Sequence, residues 1–277
     1  MTTVQELLRS GDDLPGDSAR RDCEILLGHC LSRPRSWLYA RPEHPVDASQ
    51  VQRYLALLEQ RRSGQPVAYL LGRREFWSLS LIVNEHTLIP RPETELLVQW
   101  ALELPLPNDA NVLDMGTGSG AIALALATER TQWDIWAVDV SADALAVASK
   151  NAQELQLQHV HFLQSHWYRE LYGKKFDLII SNPPYVDPQD EHLLGGDIRF
   201  EPRSALVAED EGIADLSALI HDAKAHLVSG GWMLLEHGFE QAGAVRDLFQ
   251  SVAMVDVTTR RDLAGHERAT GAMHHAH

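Results

Sequence analysis

Asn182-Pro183-Pro184-Tyr185 brings together groups that can hold a planar –NH2 group. An Asn side chain and the carbonyls of a proline-rich turn can accept from and donate to such a group. Tyr185 adds a flat apolar face on which it can stack. The combination suits methylation of a poorly nucleophilic amide or aromatic amine, which must be held in line with a methyl donor. The tetrapeptide follows Phe176-Asp177-Leu178-Ile179-Ile180, an apolar run that predicts a buried strand. The prolines stop that strand and fix the backbone as it leaves the sheet edge. Asn-Pro is also an ordinary turn signal, so the tetrapeptide alone leaves a plain turn equally open.

A second pattern adds to the first. Asn111-Val112-Leu113-Asp114-Met115 predicts a short strand, Gly116-Thr117-Gly118-Ser119-Gly120 follows, and Ala121 to Ala127 opens a helix. Glycines at alternate positions let the backbone turn sharply and approach a ligand closely. A glycine-rich strand-to-helix turn is the cofactor loop of many nucleotide-binding α/β folds. The dinucleotide pattern is Gly-x-Gly-x-x-Gly, whereas the spacing here is Gly-x-Gly-x-Gly. Asp139 ends the next predicted strand, Ile135 to Asp139, 23 residues after Gly116. That is close to the ~20 expected of a carboxylate that binds ribose hydroxyls. The other reading of Asp139 is a cap on a helix starting near Ser141.

These residues need a scaffold that brings them to one place. Strands are predicted near 111–114, 134–139, 159–163, 176–181, 231–236, 254–258 and 268–273, with helices between them. The alternation predicts a mostly parallel sheet covered on both faces. Ligands of such sheets bind at the carboxyl ends of the strands. Gly116, Asp139, His166-Trp167 and Asn182 all fall at such ends.

Upstream, residues 1–75 lack this alternation and read as a small helical domain. Asp17-Ser18 precedes a helix from Ala19 to Leu31, with Cys23, Leu26, Leu27 and Cys30 at helical spacing. Asp47 and Gln50 have the capping-box spacing ahead of a stripe of Val51, Tyr54, Leu55 and Leu58, and Ser63-Gly64 ends that helix. Phe76 to Val83 predicts a short β-hairpin, and Thr94 to Leu104 a helix with Pro92 just ahead of its first turn.

Composition narrows the function classes. At 277 residues with 44% hydrophobic content the chain suits two globular domains. No apolar stretch approaches the ~20 residues that span a bilayer. Met1-Thr2-Thr3-Val4-Gln5-Glu6 has neither the basic nor the apolar region of a signal peptide, so a cytoplasmic location without membrane partners is expected. Cys23 and Cys30 are expected to pack in a core rather than pair. Residues 1–75 carry 11 Arg against 10 acidic residues, and residues 76–277 carry 13 basic against 29 acidic. An acidic catalytic half is a poor partner for a phosphate backbone, which argues against a nucleic-acid substrate. The pairs Arg20-Arg21, Arg61-Arg62 and Arg73-Arg74 read as solvated helix faces or as contacts for an acidic partner. No metal is expected: His159 and His161 have no convergent partners, and His274, His275 and His277 form an unstructured tail.

The chain resembles the protein-(glutamine-N5) methyltransferases that modify peptide-chain release factors, the HemK/PrmC family, over nearly its full length. The stretches that carry the resemblance are Arg74 to Ser78, Leu88-Ile89-Pro90-Arg91-Pro92-Glu93-Thr94-Glu95, Asp114 to Gly120, Asn182 to Tyr185, Phe200-Glu201-Pro202 with Ala205-Leu206, and Leu235-Glu236-His237-Gly238. The resemblance implies an α/β fold: a seven-stranded class I S-adenosylmethionine-dependent (Rossmann-like) methyltransferase domain over 91–277. A small all-α substrate-docking domain over 1–73 and a linking β-hairpin over 74–90 precede it. It implies S-adenosyl-L-methionine as methyl donor, S-adenosyl-L-homocysteine as product, and the glutamine of the Gly-Gly-Gln loop of class I release factors as acceptor. On that pattern Gly116, Thr117, Gly118, Ser119, Gly120, Asp139, Trp167 and Asn182 bind the cofactor, and Asn182, Pro183, Pro184 and Tyr185 handle the acceptor. The chain departs from the pattern at Ser165-His166-Trp167, where the family usually has Ser-Asp before the aromatic residue. An acid's role at position 166 is therefore closed to it.

Other readings fit less of the sequence. A nucleic-acid amino-methyltransferase would share the Asn-Pro-Pro-Tyr chemistry but should add a basic target-recognition region. A glutamine methyltransferase of a large-subunit ribosomal protein is closer, and the Ile89–Glu95 and Glu236-His237-Gly238 stretches favour the release-factor branch. A nicotinamide oxidoreductase is disfavoured by both the glycine spacing and Asn182 to Tyr185. A non-catalytic module would not need both motifs intact.

Overall fold

The computed structural model describes residues 2–14 and 18–275. The chain divides into two compact units, Met1–Gly72 with Gly196–Phe200, and Arg73–Gly195 with Glu201–His277. Gly196–Phe200 thus clusters with the helical unit although it lies inside the 91–277 span.

The first unit is helical: α1 (Val4–Arg9), α2 (Ala19–Leu31), α3 (Arg35–Ala40), α4 (Ala48–Arg62) and α5 (Val67–Leu71). Its core gathers Leu7, Leu26, Leu27, Leu38, Tyr54 and Leu58, with both cysteines buried and unpaired. The expected stripe on α4 is narrower than predicted, because Leu55 is 42% exposed. The expected capping box is also absent. Asp47 is the N-cap residue but makes no side-chain cap, and Gln50 donates instead to the Cys30 carbonyl at 3.5 Å. Ser18 caps α2 by position while its hydroxyl turns to Asp22, and Asp17 lies outside the described residues. Arg61 is not a solvated residue. It pairs with Asp22 at 2.9 Å and with Asp197 at 2.7 Å, which ties the Gly196–Phe200 segment to α4.

The second unit opens with the hairpin, β1 (Arg73–Phe76) paired antiparallel to β2 (Leu79–Ile82). Arg73 and Arg74 therefore lie on a strand, not on a helix. A single 3-10 turn (Pro92–Thr94) leads into α6 (Glu95–Glu103), with Pro92 supplying the fixed φ of the first position. Then follow β3 (Asn111–Met115), α7 (Ala121–Glu129), β4 (Asp134–Asp139), α8 (Ala142–Glu154), β5 (His161–Gln164) and β6 (Phe176–Ser181). The chain ends with a short turn α9 (Glu209–Gly212), α10 (Ala214–Ala223), β7 (Leu227–Glu236), α11 (Ala242–Ser251), β8 (Val255–Arg261) and β9 (Glu267–Met273).

The seven larger strands form one sheet in the order β5-β4-β3-β6-β7-β9-β8. The first five are parallel, and β9 runs antiparallel to both β7 and β8. His274 continues the β9 ladder through backbone bonds to Gly230 and Gly231, where an unstructured residue was expected; His277 lies outside the described residues. Side chains alternate between the faces. Val112, Leu178, Ile180 and Leu234 pack with α6 and α7, while Leu113, Met115, Ile179, Met233 and Leu235 pack with α10 and α11. Each such fully buried aliphatic side chain stabilises by roughly 1.5–3 kcal/mol. Every residue of Ala121 to Ala127 is buried, which explains why α7 is apolar all round.

The strand order reverses between β3 and β6, the place where open parallel sheets bind ligands. Met115 pairs with Val138 and with Ser181, so the loops after β3, β4 and β6 leave the sheet at one level. The Ser181 hydroxyl donates to the Met115 carbonyl at 2.6 Å and clips β6 to β3 beside both loops. Asn151 holds the hairpin to this edge. Its amide exchanges bonds with the backbone of Ile82 and donates to the Ser119 carbonyl at 2.9 Å.

Candidate functional site

The loop after β3 is shaped by its glycines. Gly116, Gly118 and Gly120 have φ of 70°, 56° and 84°, a conformation that side chains rarely adopt. A Cβ at Gly118 would meet nothing within 4 Å, so this turn leaves open space beside its backbone. The loop is bound to its neighbours at both ends. Gly116 and Thr117 donate to the Val138 carbonyl, and the Thr117 hydroxyl donates to buried Asp114 at 2.7 Å. Burial pushes the Asp114 carboxyl up to about 7, against the bonds from Thr117 and the Ala123 amide.

Asp139 joins this loop to the next. Oδ2 accepts from the Gly118 amide and Oδ1 from the Ser141 amide, each at 2.9 Å. The cap of α8 is Ser141 itself, whose side chain accepts from Ala144. Burial raises the Asp139 carboxyl while these backbone donors lower it. Each carboxylate oxygen has a second lone pair to offer.

After β5 the chain turns at Trp167, whose φ is 52°. Ser165 holds the turn, donating to the Trp167 carbonyl at 2.7 Å and accepting from the Glu170 amide. A Cβ at Gly116 would sit 3.7 Å from the Trp167 ring, so the indole lies along the glycine loop. The Trp167 and His166 side chains both face the Asp215 carboxylate near the start of α10. Burial raises the Asp215 carboxyl and the neighbouring Trp167 indole lowers it.

After β6, Asn182 donates from Nδ2 to the Thr94 hydroxyl at 3.1 Å. The Tyr185 hydroxyl donates to buried Glu236 at 3.1 Å, and burial with Glu236 alongside pushes that hydroxyl up, so it stays protonated. The turn is pinned from behind: Gln241 donates to the Tyr185 carbonyl at 3.0 Å. A Cβ at Gly212 would fall 2.2 Å from that carbonyl, so only glycine fits there. Tyr185 and Val186 donate to the Leu206 carbonyl, and buried Glu201 accepts from Arg91 and from the Ile89 amide.

These loops enclose a cleft of about 540 Å³ lined by Gly116, Gly118, Asp139, Trp167, Asn182 and Pro184. That is within the size range of small-molecule sites. Thr117, Ser119 and Gly120 support the loop without lining the cleft, and neither Pro183 nor Tyr185 lines it. Sequence reasoning missed Asp215, His86, Pro202 and Ser204, which also line it. Asp215 carries no local signal, since an acid in the first turn of a helix is ordinary. No group of three or more metal-ligating side chains occurs among the described residues, and no helix there is long and apolar enough to cross a membrane.

Sheet order, glycine loop and level strand ends define a class I S-adenosylmethionine-dependent methyltransferase. Solved structures share the fold. The catalytic domain of hMettl16 in complex with a MAT2A 3'UTR hairpin superposes with a TM-score of 0.59 at 17% identity, over 86% of this chain and 85% of that one. A methyltransferase from Pyrococcus furiosus gives 0.55 at 16% identity, over 80% of this chain and 98% of that one. The methyltransferase small domain model matches residues 92–198, and the PrmC N-terminal domain model matches residues 5–72. Proteins named release factor glutamine methyltransferase are similar along almost the whole chain. The Salmonella typhimurium protein is 51% identical over 254 residues, 92% of each chain. The Pseudomonas aeruginosa protein is 48% identical over 270 residues, 98% of each chain, and the Shewanella oneidensis protein 50% identical over 92% of this chain and 89% of its own. The chain belongs to the release factor glutamine methyltransferase family.

Proposed function

We propose that this enzyme transfers a methyl group from S-adenosyl-L-methionine to the side-chain nitrogen, N5, of the glutamine in the Gly-Gly-Gln motif of class I peptide-chain release factors. The observation that carries the reading is the placement of Asn182 beside the glycine loop on one cleft, in a chain of this family. The cleft fits the donor: open space at Gly118, a carboxylate at Asp139 for ribose hydroxyls, and an indole at Trp167 for the adenine face. Thr117, Ser119 and Gly120 contribute by holding that loop in shape. Asp215 supplies a second carboxylate in the cleft, next to the position where His166 stands in place of the family's acid.

When bound, S-adenosylmethionine supplies a methyl group on an already activated sulfonium. A carboxamide nitrogen is a weak nucleophile, because its lone pair is delocalised into the carbonyl. The protein's task is therefore orientation, which contributes up to ~7–11 kcal/mol in favourable cases. With Nδ2 committed to Thr94, Asn182 presents Oδ1 to accept from the acceptor's N–H. Pro184 closes the wall of the cleft, and although Pro183 and Tyr185 do not line it, we assign the second acceptor to the Pro183 carbonyl and the face against the amide plane to Tyr185. Two fixed acceptors on an –NH2 group leave its lone pair facing the donor.

Labelled methyl transfer tested side by side on release factor, a large-subunit ribosomal protein and tRNA checks the substrate class. Label on the release factor is expected; label on either other acceptor alone would replace it.

Recognition of a folded protein takes more than a pocket, typically a surface of order 800 Å² per partner. We assign that docking role to the helical unit, the less acidic part of the chain. A chain beginning at Arg73 is expected to bind S-adenosylmethionine by calorimetry yet to methylate intact release factor at least ~10-fold more slowly, a loss of about 1.4 kcal/mol. Equal rates would remove the docking role from the helical unit.

A further inference from the structure

Glu236 does not line the cleft. It ends β7, is 1% exposed, and its Oε2 has no hydrogen-bond partner. Natural structures rarely bury an ionisable group with a free oxygen, because burial without partners is costly. Here the burial falls directly behind the acceptor motif. Oε1 accepts from the Tyr185 hydroxyl, and the Thr94 hydroxyl faces the same carboxylate. Thr94 in turn accepts from Asn182 Nδ2. Tyr185 is therefore bonded to this carboxylate directly, and Asn182 is bonded to the threonine whose hydroxyl stands beside it.

We propose that Glu236 is the positioning residue of the acceptor site, fixing through Thr94 which atom of the Asn182 amide faces the cleft and through its own Oε1 the setting of the Tyr185 ring. Hydrogen-bond polarity sets the amide orientation. A threonine hydroxyl has one proton. While Glu236 is a carboxylate it can only accept, so the Thr94 proton points to it and the Thr94 lone pairs point to Asn182. The amide must then present Nδ2 to Thr94 and Oδ1 to the cleft, the orientation that accepts from an –NH2 group. Protonated Glu236 no longer needs the Thr94 proton. That proton can then turn to Asn182 Oδ1, and the amide is free to flip and offer its own N–H groups to the acceptor, which repels them. The inference deepens the proposed methyl transfer and rests on it.

The environment sets where the switch occurs. Burial pushes the Glu236 carboxyl up to about 7, against the neighbouring Thr94 and Tyr185 hydroxyls and the charge of Arg268, with Glu93 acting in the same direction as burial. Arg91 and Arg268 also face Tyr185, and His237 follows in the chain with its ring bonded to Gly238 and Thr270. The carboxylate is the ordered form, so turnover should rise as pH rises through neutrality. The same raised carboxyl gives its stabilisation below the ordinary carboxylate range and loses it as pH rises through about 7. Activity and stability from this group thus run in opposite directions with pH.

The test is a pH profile of kcat and KM from pH 5.5 to 9 on the full-length chain, with Glu236→Gln, Thr94→Val and Thr94→Ser beside wild type. S-adenosylmethionine binding by calorimetry confirms that each variant is folded. Glu236→Gln should lose the rise across neutrality and, at pH 8, about tenfold in kcat, the worth of one buried hydrogen bond. Thr94→Val should fall similarly, and Thr94→Ser should recover most of the rate. Each profile is recorded on release factor and in parallel on a ribosomal protein and tRNA. The same variant pattern on an acceptor other than release factor would overturn the substrate reading and keep the network. Wild-type transfer with the neutral rise intact in Glu236→Gln, or Thr94→Val as fast as Thr94→Ser, would overturn the network.

Discussion

Asn182→Ala is expected to lower methyl transfer by roughly 100-fold or more, the scale of a misplaced reacting group, while leaving S-adenosylmethionine affinity close to wild type. Asn182 stands at the end of β6 with Nδ2 held by Thr94, so its remaining oxygen belongs to the acceptor. An interaction made chiefly in the transition state is lost from turnover rather than from ground-state binding. Tyr185→Phe should be milder, because the ring face survives and only the bond to Glu236 is lost. Single-turnover rates with saturating cofactor separate the two steps. A Phe variant as impaired as the Ala variant would mean that the hydroxyl itself acts on the acceptor.

Asp139→Ala should weaken S-adenosylmethionine binding by ~1.5–3 kcal/mol, the range for hydrogen bonds to a charged group. The carboxylate has two duties. It accepts from Gly118 and Ser141, which fixes the loops after β3 and β4, and its remaining lone pairs face the cleft. Asp139→Asn tells these duties apart. An Asn keeps one acceptor oxygen, so it should hold part of the loop while losing much of the cofactor affinity. Unchanged affinity in Asp139→Ala by calorimetry would remove the residue from the cofactor site.

The sheet edge was legible because its signals are local. Alternate glycines after an apolar run, an acid ending the next strand, and Asn-Pro-Pro after a third each announce a strand end with a polar turn. Once the sheet is parallel, these ends meet without further information. What stayed hidden depends on chain crossings. Asp215 reaches the cleft from α10, and Glu236 reaches the acceptor motif from β7, across pairings that no spacing reveals. Arg61 read as a solvated residue because its partners, Asp22 and Asp197, are remote in sequence. The capping box at Asp47 failed for a similar reason: Gln50 found a carbonyl on α2 that the local pattern cannot show.

The glutamine assignment is the central claim, and peptide mass spectrometry tests it most directly. Purified release factor, incubated with the full-length enzyme and S-adenosylmethionine, is digested and its Gly-Gly-Gln peptide fragmented. The account predicts a single added methyl group, a gain of about 14 Da, on the glutamine side-chain nitrogen, with Asn182→Ala leaving the peptide almost unmodified. An unmodified glutamine, alongside methylation of tRNA, DNA or a ribosomal protein by the same enzyme, would contradict it.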